Sequence, residues 1–144
     1  MTRLEKQTKN MSKQIKGCIG LLLLFASCST DIGDRLEGKW QLQQVEANGV
    51  TEKVDTVFYN FQTSLFMYQV YRPERDIFSS CFGFRMMETK DQLLLELTGY
   101  SSAIQNFLLL TDWESSDRRF IVKEVTDKRL VLNSDDKSYT FRKF

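Results

Sequence analysis

The sequence predicts an all-β domain, and an eight-stranded up-and-down antiparallel barrel fits it best. From residue 36 onward the chain consists of short runs rich in β-branched and aromatic residues, with turn residues between them, and such runs favour strands. No run keeps the apolar spacing of a helix for long. Because most connections have hairpin length, we prefer a barrel, which removes exposed sheet edges, and keep a β-sandwich as the alternative.

The predicted strands are separated by recognisable turn signals. Asn48 and Gly49 form the strongest hairpin dipeptide in the chain, and Pro73, the only proline, follows the third strand. Residues 98–119 are long for a structureless loop, so we expect residues 101–110 to form a helical turn or an irregular strand over the barrel mouth. The predicted strands are 38–46, 54–61, 65–72, 77–87, 92–97, 120–125, 129–133 and 138–144.

The fourth predicted strand shows the clearest alternation between its two faces. Phe78, Ser80, Phe82, Phe84 and Met86 share one face, and the intervening small or polar residues share the other. Alternation of this kind predicts that the large apolar side chains point inward, while Gly83 between them indicates a bulge or bend of the barrel wall. The predicted core contains Trp40, Phe82, Phe84, Leu95, Leu130 and Phe141.

Residues 1–27 have the layout of a secretory signal peptide. Lys13 and Lys16 precede a short apolar run at 18–25, and two small residues follow it. The run is shorter than the ~20 residues that span a bilayer, which disfavours a permanent transmembrane helix. Translation starts at Met1 or at Met11, and the second start leaves a more compact basic region.

The four residues Phe-Ala-Ser-Cys that end at Cys28 resemble the lipobox of bacterial lipoproteins. The resemblance implies cleavage before Cys28 and attachment of lipid, including a fatty acyl group such as palmitate, to its thiol. We therefore expect a tether at 28–35 and a barrel domain at 36–144. The implied location is the cell envelope, at the outer membrane of a Gram-negative bacterium.

Charge and composition exclude several classes of function. The chain has 20 basic and 19 acidic side chains and no histidine; removal of the leader leaves 15 basic and 18 acidic, a net charge of −3. We expect no nucleic-acid partner, since phosphate binding needs clustered basic residues. The absence of histidine removes Ser-His-Asp and Cys-His catalysis and most zinc sites. We expect no enzymatic activity, no cofactor and a monomer.

Two possible reactive features are better explained as ordinary structure. Cys81 is the only cysteine left in the mature chain, and no neighbouring histidine lowers its pKa, so we expect a small buried apolar residue. Asp112, Glu114 and Asp117 surround Trp113, but they lack the spacing of a calcium-binding loop. We expect them in a solvated loop, with no metal bound.

Residues 38–40, Gly-Lys-Trp, resemble the G-x-W motif of lipocalins, and the resemblance extends over about 36–144. It implies a lipocalin-like barrel with Trp40 at the closed base beneath an arginine, for which Arg142 is the candidate. Alternation leaves this contact open, because it turns Arg142 outward when Tyr139 and Phe141 face inward. The closing strands are similar to those of small lipocalin-like lipoproteins of the Bacteroidetes, a domain of unknown function, at Phe120, Val122, Leu130, Leu132, Tyr139 and Phe141.

Two functions remain open at this stage. In the first, the barrel keeps a cavity of ~300 Å³ or more and binds a small apolar ligand. In the second, aromatic side chains fill the barrel and the protein is a structural or protein-interaction module of the envelope, with Phe58, Phe66 or Trp113 as an outward contact. The candidate ligand-binding residues are Tyr59, Phe61, Met67, Gln69, Tyr71, Phe78, Ser80 and Phe82.

Overall fold

The strands form one closed antiparallel sheet in the computed structural model, which describes residues 31–144. Neighbouring strands pair in chain order, and pairing of the first with the last closes the barrel. The predicted eight-stranded barrel is therefore confirmed. The strands are β1 Gly38–Ala47, β2 Val50–Lys53, β3 Val57–Gln62, β4 Leu65–Arg72, β5 Ile77–Met87, β6 Gln92–Leu97, β7 Asp117–Val125, β8 Arg129–Ser134 and β9 Lys137–Lys143.

Nine strands make an eight-stranded barrel because β2 and β3 share one place in the wall. Both pair with β1, β2 near its end and β3 near its start. The predicted strand at 54–61 therefore begins later, at Val57, and a separate short strand precedes it. Asn48 and Gly49 both have positive φ values, 52° and 76°, as a type I′ hairpin turn requires.

Residues 31–144 contain two helices, α1 Ile32–Arg35 and α2 Ser101–Leu108. The second lies in the long connection and decides between the two structures expected there, a helical turn and an irregular strand, in favour of the helix. The first forms within the stretch expected to be a tether. Neither helix in this part of the chain is long and apolar enough to cross a membrane. The predicted signal peptide, Cys28 and the first residues of the tether lie outside the described residues.

The two ends of the barrel differ. The closed end carries α1 and the β3–β4, β5–β6 and β7–β8 turns. There the indole Nε1 of Trp40 donates a hydrogen bond of 2.7 Å to the carbonyl oxygen of buried Leu36. At the open end lie the hairpin at 48–49, the turns at 73–76 and 135–136, and the connection at 98–116 that contains α2.

The prediction for the faces of β5 is wrong. Phe82 and Phe84 point outward, with 65% and 54% of their surface exposed, and so do Phe78 and Met86. The inward positions belong to small residues such as Cys81 and Gly83. Large aromatic side chains from β3, β4 and the 98–116 connection already fill the interior there. The other members of the predicted core, Trp40, Leu95, Leu130 and Phe141, are buried together as expected.

Gly83 lies where β5 and β6 approach closely. A Cβ atom at this position would overlap the carbonyl oxygen of Glu96 and lie 2.9 Å from the Cα atom of Leu97. Gly83 is the last residue of β5 paired with β6, and the register of β4 with β5 runs through it without a shift. The residue therefore marks a close approach of two backbones in the curved wall, and not a bulge.

We expect Gly83→Ala to lower the free energy of unfolding by about 2 kcal/mol or more, because the added methyl group must displace backbone. Gly33→Ala is the matched control, since its Cβ would meet no atom closer than 3.7 Å. Denaturant unfolding of both variants measures the difference. A Gly83→Ala protein as stable as Gly33→Ala would show that the two strands are farther apart.

Candidate functional site

An aromatic floor divides the interior of the barrel, and Tyr59 lies at its centre. The indole Nε1 of Trp113 donates a buried hydrogen bond of 3.0 Å to the Tyr59 hydroxyl. The rings of Tyr68 and Phe141 lie 4.8 and 4.9 Å from that of Tyr59, measured between centroids. These side chains are almost wholly buried. Together with Phe66 they form the aromatic floor, and buried side chains such as Trp40 and Phe61 lie between it and the closed end.

A cavity of about 400 Å³ lies above the aromatic floor, at the open end. Its walls are apolar side chains from β1, β2, β3 and the segment before β3, and tyrosine side chains form its base. Charged groups stand at its rim. The lining residues are Leu42, Val45, Ala47, Val50, Glu52, Val54, Val57, Tyr59, Tyr68, Leu110, Thr111, Asp112, Lys137 and Tyr139.

A polar cluster ties the 98–116 connection to the barrel at the cavity rim. The Tyr139 hydroxyl donates a hydrogen bond to Asp112 and accepts one of 2.7 Å from Arg118. The Arg118 guanidinium also lies 3.3 Å from the Asp112 carboxylate, and the Lys137 ammonium lies 3.6 Å from it. Because Asp112 already has three partners, the rim carries no free negative charge at this residue.

Burial controls the chemistry of the tyrosines in the cavity. It is the largest cause of a raised pKa at Tyr59, Tyr68 and Tyr139, and the carboxylate of Asp112 raises each of these pKa values further. All three hydroxyls therefore stay protonated at neutral pH. The cavity thus presents an apolar wall and a base of neutral hydroxyl groups.

The cavity includes only one of the eight residues predicted to bind a ligand, Tyr59. Phe61 points inward but packs below the aromatic floor, with its ring 5.4 Å from that of Phe66. The remaining six lie on the outer face, where Gln69 donates a hydrogen bond of 3.1 Å to Ser80. An inward position is therefore wrong for Met67, Gln69, Tyr71, Phe78, Ser80 and Phe82.

The predicted outward contacts need a similar correction. Phe66 and Trp113 are buried in the interior, because the barrel encloses one and the 98–116 connection inserts the other. Phe58 does face outward, but Phe78 and Phe144 cover it, with ring centroids 5.8 and 5.2 Å away. None of the three is available as an exposed contact.

Most of the cavity residues were not identified from the sequence. Val57 shares the face of Tyr59 on β3, and Tyr68 pairs with Tyr59 across β3 and β4. Once Tyr59 is placed inward, the alternation of side chains along β3 and its pairing with β4 therefore identify both residues. The bulge between Leu42 and Gln44 changes the inward phase of β1. Val45 therefore faces the cavity for a reason that simple alternation does not show.

The cation at the closed base is a lysine. Lys143 Nζ lies 4.3 Å from the ring centroid of Trp40 and donates a hydrogen bond to the Glu37 carbonyl oxygen. Arg142 points outward and donates a hydrogen bond of 2.8 Å to the side chain of Gln41. The implied contact between Arg142 and Trp40 is therefore wrong, because alternation along β9 turns Arg142 away from the interior.

The described residues contain no group of three or more histidine, cysteine, aspartate or glutamate side chains that could hold a metal ion. Cys81 is buried, as predicted, and burial raises the pKa of its thiol. Of the acidic residues near Trp113, Asp112 lies in the rim cluster and Glu114 is exposed.

The comparisons with known proteins agree with this fold. A family model described as a lipocalin-like domain matches residues 22–144. The crystal structure of a lipocalin-like protein from Bacteroides uniformis ATCC 8492 is similar, with 30% sequence identity and a TM-score of 0.69. The crystal structure of an uncharacterized protein from Bacteroides eggerthii DSM 20697 is similar, with 27% sequence identity and a TM-score of 0.66. Each match covers 76% of this chain and 99% of the other chain. No curated protein matches. This chain belongs to the lipocalin-like domain family, whose fold is compatible with ligand binding.

Proposed function

We propose that this protein binds one small ligand with an apolar body in the open-end cavity and catalyses no reaction. The observation that carries the proposal is the cavity of about 400 Å³ above the aromatic floor. Ligand pockets are typically ~300–1,000 Å³, largely apolar, with a few fixed polar groups. Valine and leucine walls and buried hydroxyls meet this description, and the absence of histidine supports a non-enzymatic role.

The cavity favours a neutral or weakly polar ligand. Its walls include Leu42, Val45, Val54 and Val57, which supply apolar surface. The hydroxyl groups of Tyr59 and Tyr68 are the hydrogen-bond partners deep inside, while the charged groups belong to the rim. We therefore expect the apolar end of the ligand to enter first and any charged end to remain at the mouth. The alternative function, an interaction module, assumed a barrel that side chains fill completely. It gives this cavity no role.

We expect the apolar dye N-phenyl-naphthylamine to bind with saturable one-to-one stoichiometry, and Val45→Trp to weaken its binding by about tenfold or more by filling the cavity. Val131→Trp is the matched control, because Val131 lies on β8 between the inward residues Leu130 and Leu132 and faces outward. Fluorescence titration measures both affinities.

A further variant separates the cavity from the outer surface. Phe82→Ser removes an exposed aromatic ring and leaves the cavity intact, so it should bind the dye as the unaltered protein does. Loss of binding in Phe82→Ser with no change in Val45→Trp would assign the dye to the outer face and contradict the proposed site.

We also propose that the barrel is a monomeric lipoprotein of the outer membrane, anchored through Cys28. The apolar run at 18–25, followed by Ala26, Ser27 and Cys28, supports this address. The described domain begins with α1 close behind the anchor. A lipid anchor then holds the binding domain at the membrane with a very short connection.

We expect Cys28→Ala to abolish incorporation of radiolabelled palmitate in the native host, because no thiol remains for the lipid at that position. Labelling and N-terminal mapping of the mature protein provide the measurement. Cys81→Ala is the control, since the Cys81 thiol is buried in the barrel and its loss should leave labelling unchanged. Unchanged labelling in Cys28→Ala would overturn the proposed address.

A further inference from the structure

Five apolar side chains form an exposed patch on the outer face of the barrel. Leu65 and Phe84 pair across β4 and β5, as do Met67 and Phe82, and Met86 follows on β5. Leu65, Phe82, Phe84 and Met86 are each at least half exposed. We call these five residues the closed-end patch. Isolated exposed apolar residues are common, but a contiguous group of this kind marks an interaction surface.

A polar band limits the closed-end patch on the side toward the open end. Asn60 donates a hydrogen bond of 3.1 Å to Gln69, and Gln69 donates one of 3.1 Å to Ser80. These three side chains cross β3, β4 and β5 diagonally and separate the patch from the covered ring of Phe58. The patch therefore belongs to the closed end of the barrel.

The start of the folded domain lies at the same end of the barrel as the patch. The Arg85 guanidinium donates a hydrogen bond of 2.8 Å to the carbonyl oxygen of Gly33 in α1, and Met87 is the nearest side chain to Gly33. Arg85 and Met87 alternate along β5 with Phe84 and Met86, so α1 contacts the inner side of the strand end whose outer side carries the patch. The chain therefore enters the barrel at the same end as the patch.

The distance from this point to the proposed anchor is short. Only two residues separate Cys28 from Asp31, the first described residue. A fully extended chain covers at most ~3.5 Å per residue, so Asp31 lies within about 10 Å of the Cα atom of Cys28. A lipid on Cys28 thus brings the closed end of the barrel, and the patch beside it, to the surface of the bilayer.

We infer that the closed-end patch docks onto the lipid bilayer that holds the Cys28 lipid. The inference rests on the proposed lipid anchor, which supplies the membrane as the nearby apolar phase. A lipid chain together with an apolar surface holds a protein to a bilayer more firmly than either alone. The patch contacts the region of the bilayer between the headgroups and the acyl chains. There the apolar surface of Phe82 and Phe84 is removed from water.

The charges around the patch predict how this contact depends on conditions. Glu96 pairs with Phe84 across β5 and β6 and is exposed, and the patch itself carries no cation. In vesicles of zwitterionic phosphatidylcholine the contact therefore rests on apolar surface, and we expect it to be insensitive to salt. Docking in this orientation leaves the open end and its cavity facing the aqueous compartment, so the ligand enters from water.

Quenching of a tryptophan by brominated lipid tests the contact directly. The full chain is purified from its host after processing, lipidation at Cys28 is read by mass spectrometry, and the protein is placed in phosphatidylcholine vesicles with or without bromine on the acyl chains. Phe84→Trp reports on the patch. Leu109→Trp is the matched control, because Leu109 is 84% exposed and follows α2 at the open end. The fluorescence of Trp40 and Trp113, measured in the unaltered protein, is the background that is subtracted from both variants.

We expect bromine to quench the fluorescence added by Phe84→Trp about twofold or more, with little change at high salt, and to leave that of Leu109→Trp unchanged. Equal quenching of the two, or none for Phe84→Trp in a lipidated protein, would overturn the docking and leave the anchor standing. A Phe84→Trp signal that is shielded from water but insensitive to bromine, in a protein that forms dimers, would assign the patch to a second copy. An unmodified Cys28 would remove both the anchor and the docking.

Discussion

The hydrogen bond from the Trp113 indole to the Tyr59 hydroxyl, 3.0 Å long and fully buried, organises the interior of this barrel. It joins the long connection between β6 and β7 to the wall formed by β3 and β4. A buried donor or acceptor left without its partner costs about 1–3 kcal/mol. This cost holds the Trp113 side chain inside the barrel, next to Tyr59. The Trp113 indole packs against the aromatic floor. The floor is the boundary between the packed core of the barrel and the open-end cavity.

The packing of aromatic rings inside the barrel also explains why β5 carries exposed aromatic residues on its outer face. Rings from β3, β4 and the 98–116 connection occupy the space that β5 faces, so only small side chains such as Cys81 and Gly83 fit on its inner side. The aromatic residues of β5 must then lie on the outer face, and Phe82 and Phe84 lie toward the closed end, where the chain enters the barrel. One packing constraint therefore produces both the open-end cavity and the closed-end patch.

Much of the fold follows from local sequence signals, whereas the site does not. Alternation and turn residues such as Asn48 and Gly49 predict the strands, because both signals depend on neighbours in the chain. Closure pairs β1 with β9 across the whole domain, and only the hairpin length of most connections favours it. The inward phase of β5 depends on Trp113, which reaches the interior from a distant loop. The bulge in β1 likewise moves Val45 into the cavity, and nothing in the apolar pattern marks it.

Hydrogen exchange of the indole protons tests the central role of Trp113 most directly. The Nε1 proton of Trp40, bonded to the Leu36 carbonyl at the closed end, serves as an internal reference. We expect both protons, followed by NMR in deuterated solvent, to exchange only through global unfolding and thus to show the same protection. Exchange of the Trp113 proton orders of magnitude faster than that of Trp40 would show that the connection opens on its own, which would contradict a fixed aromatic floor.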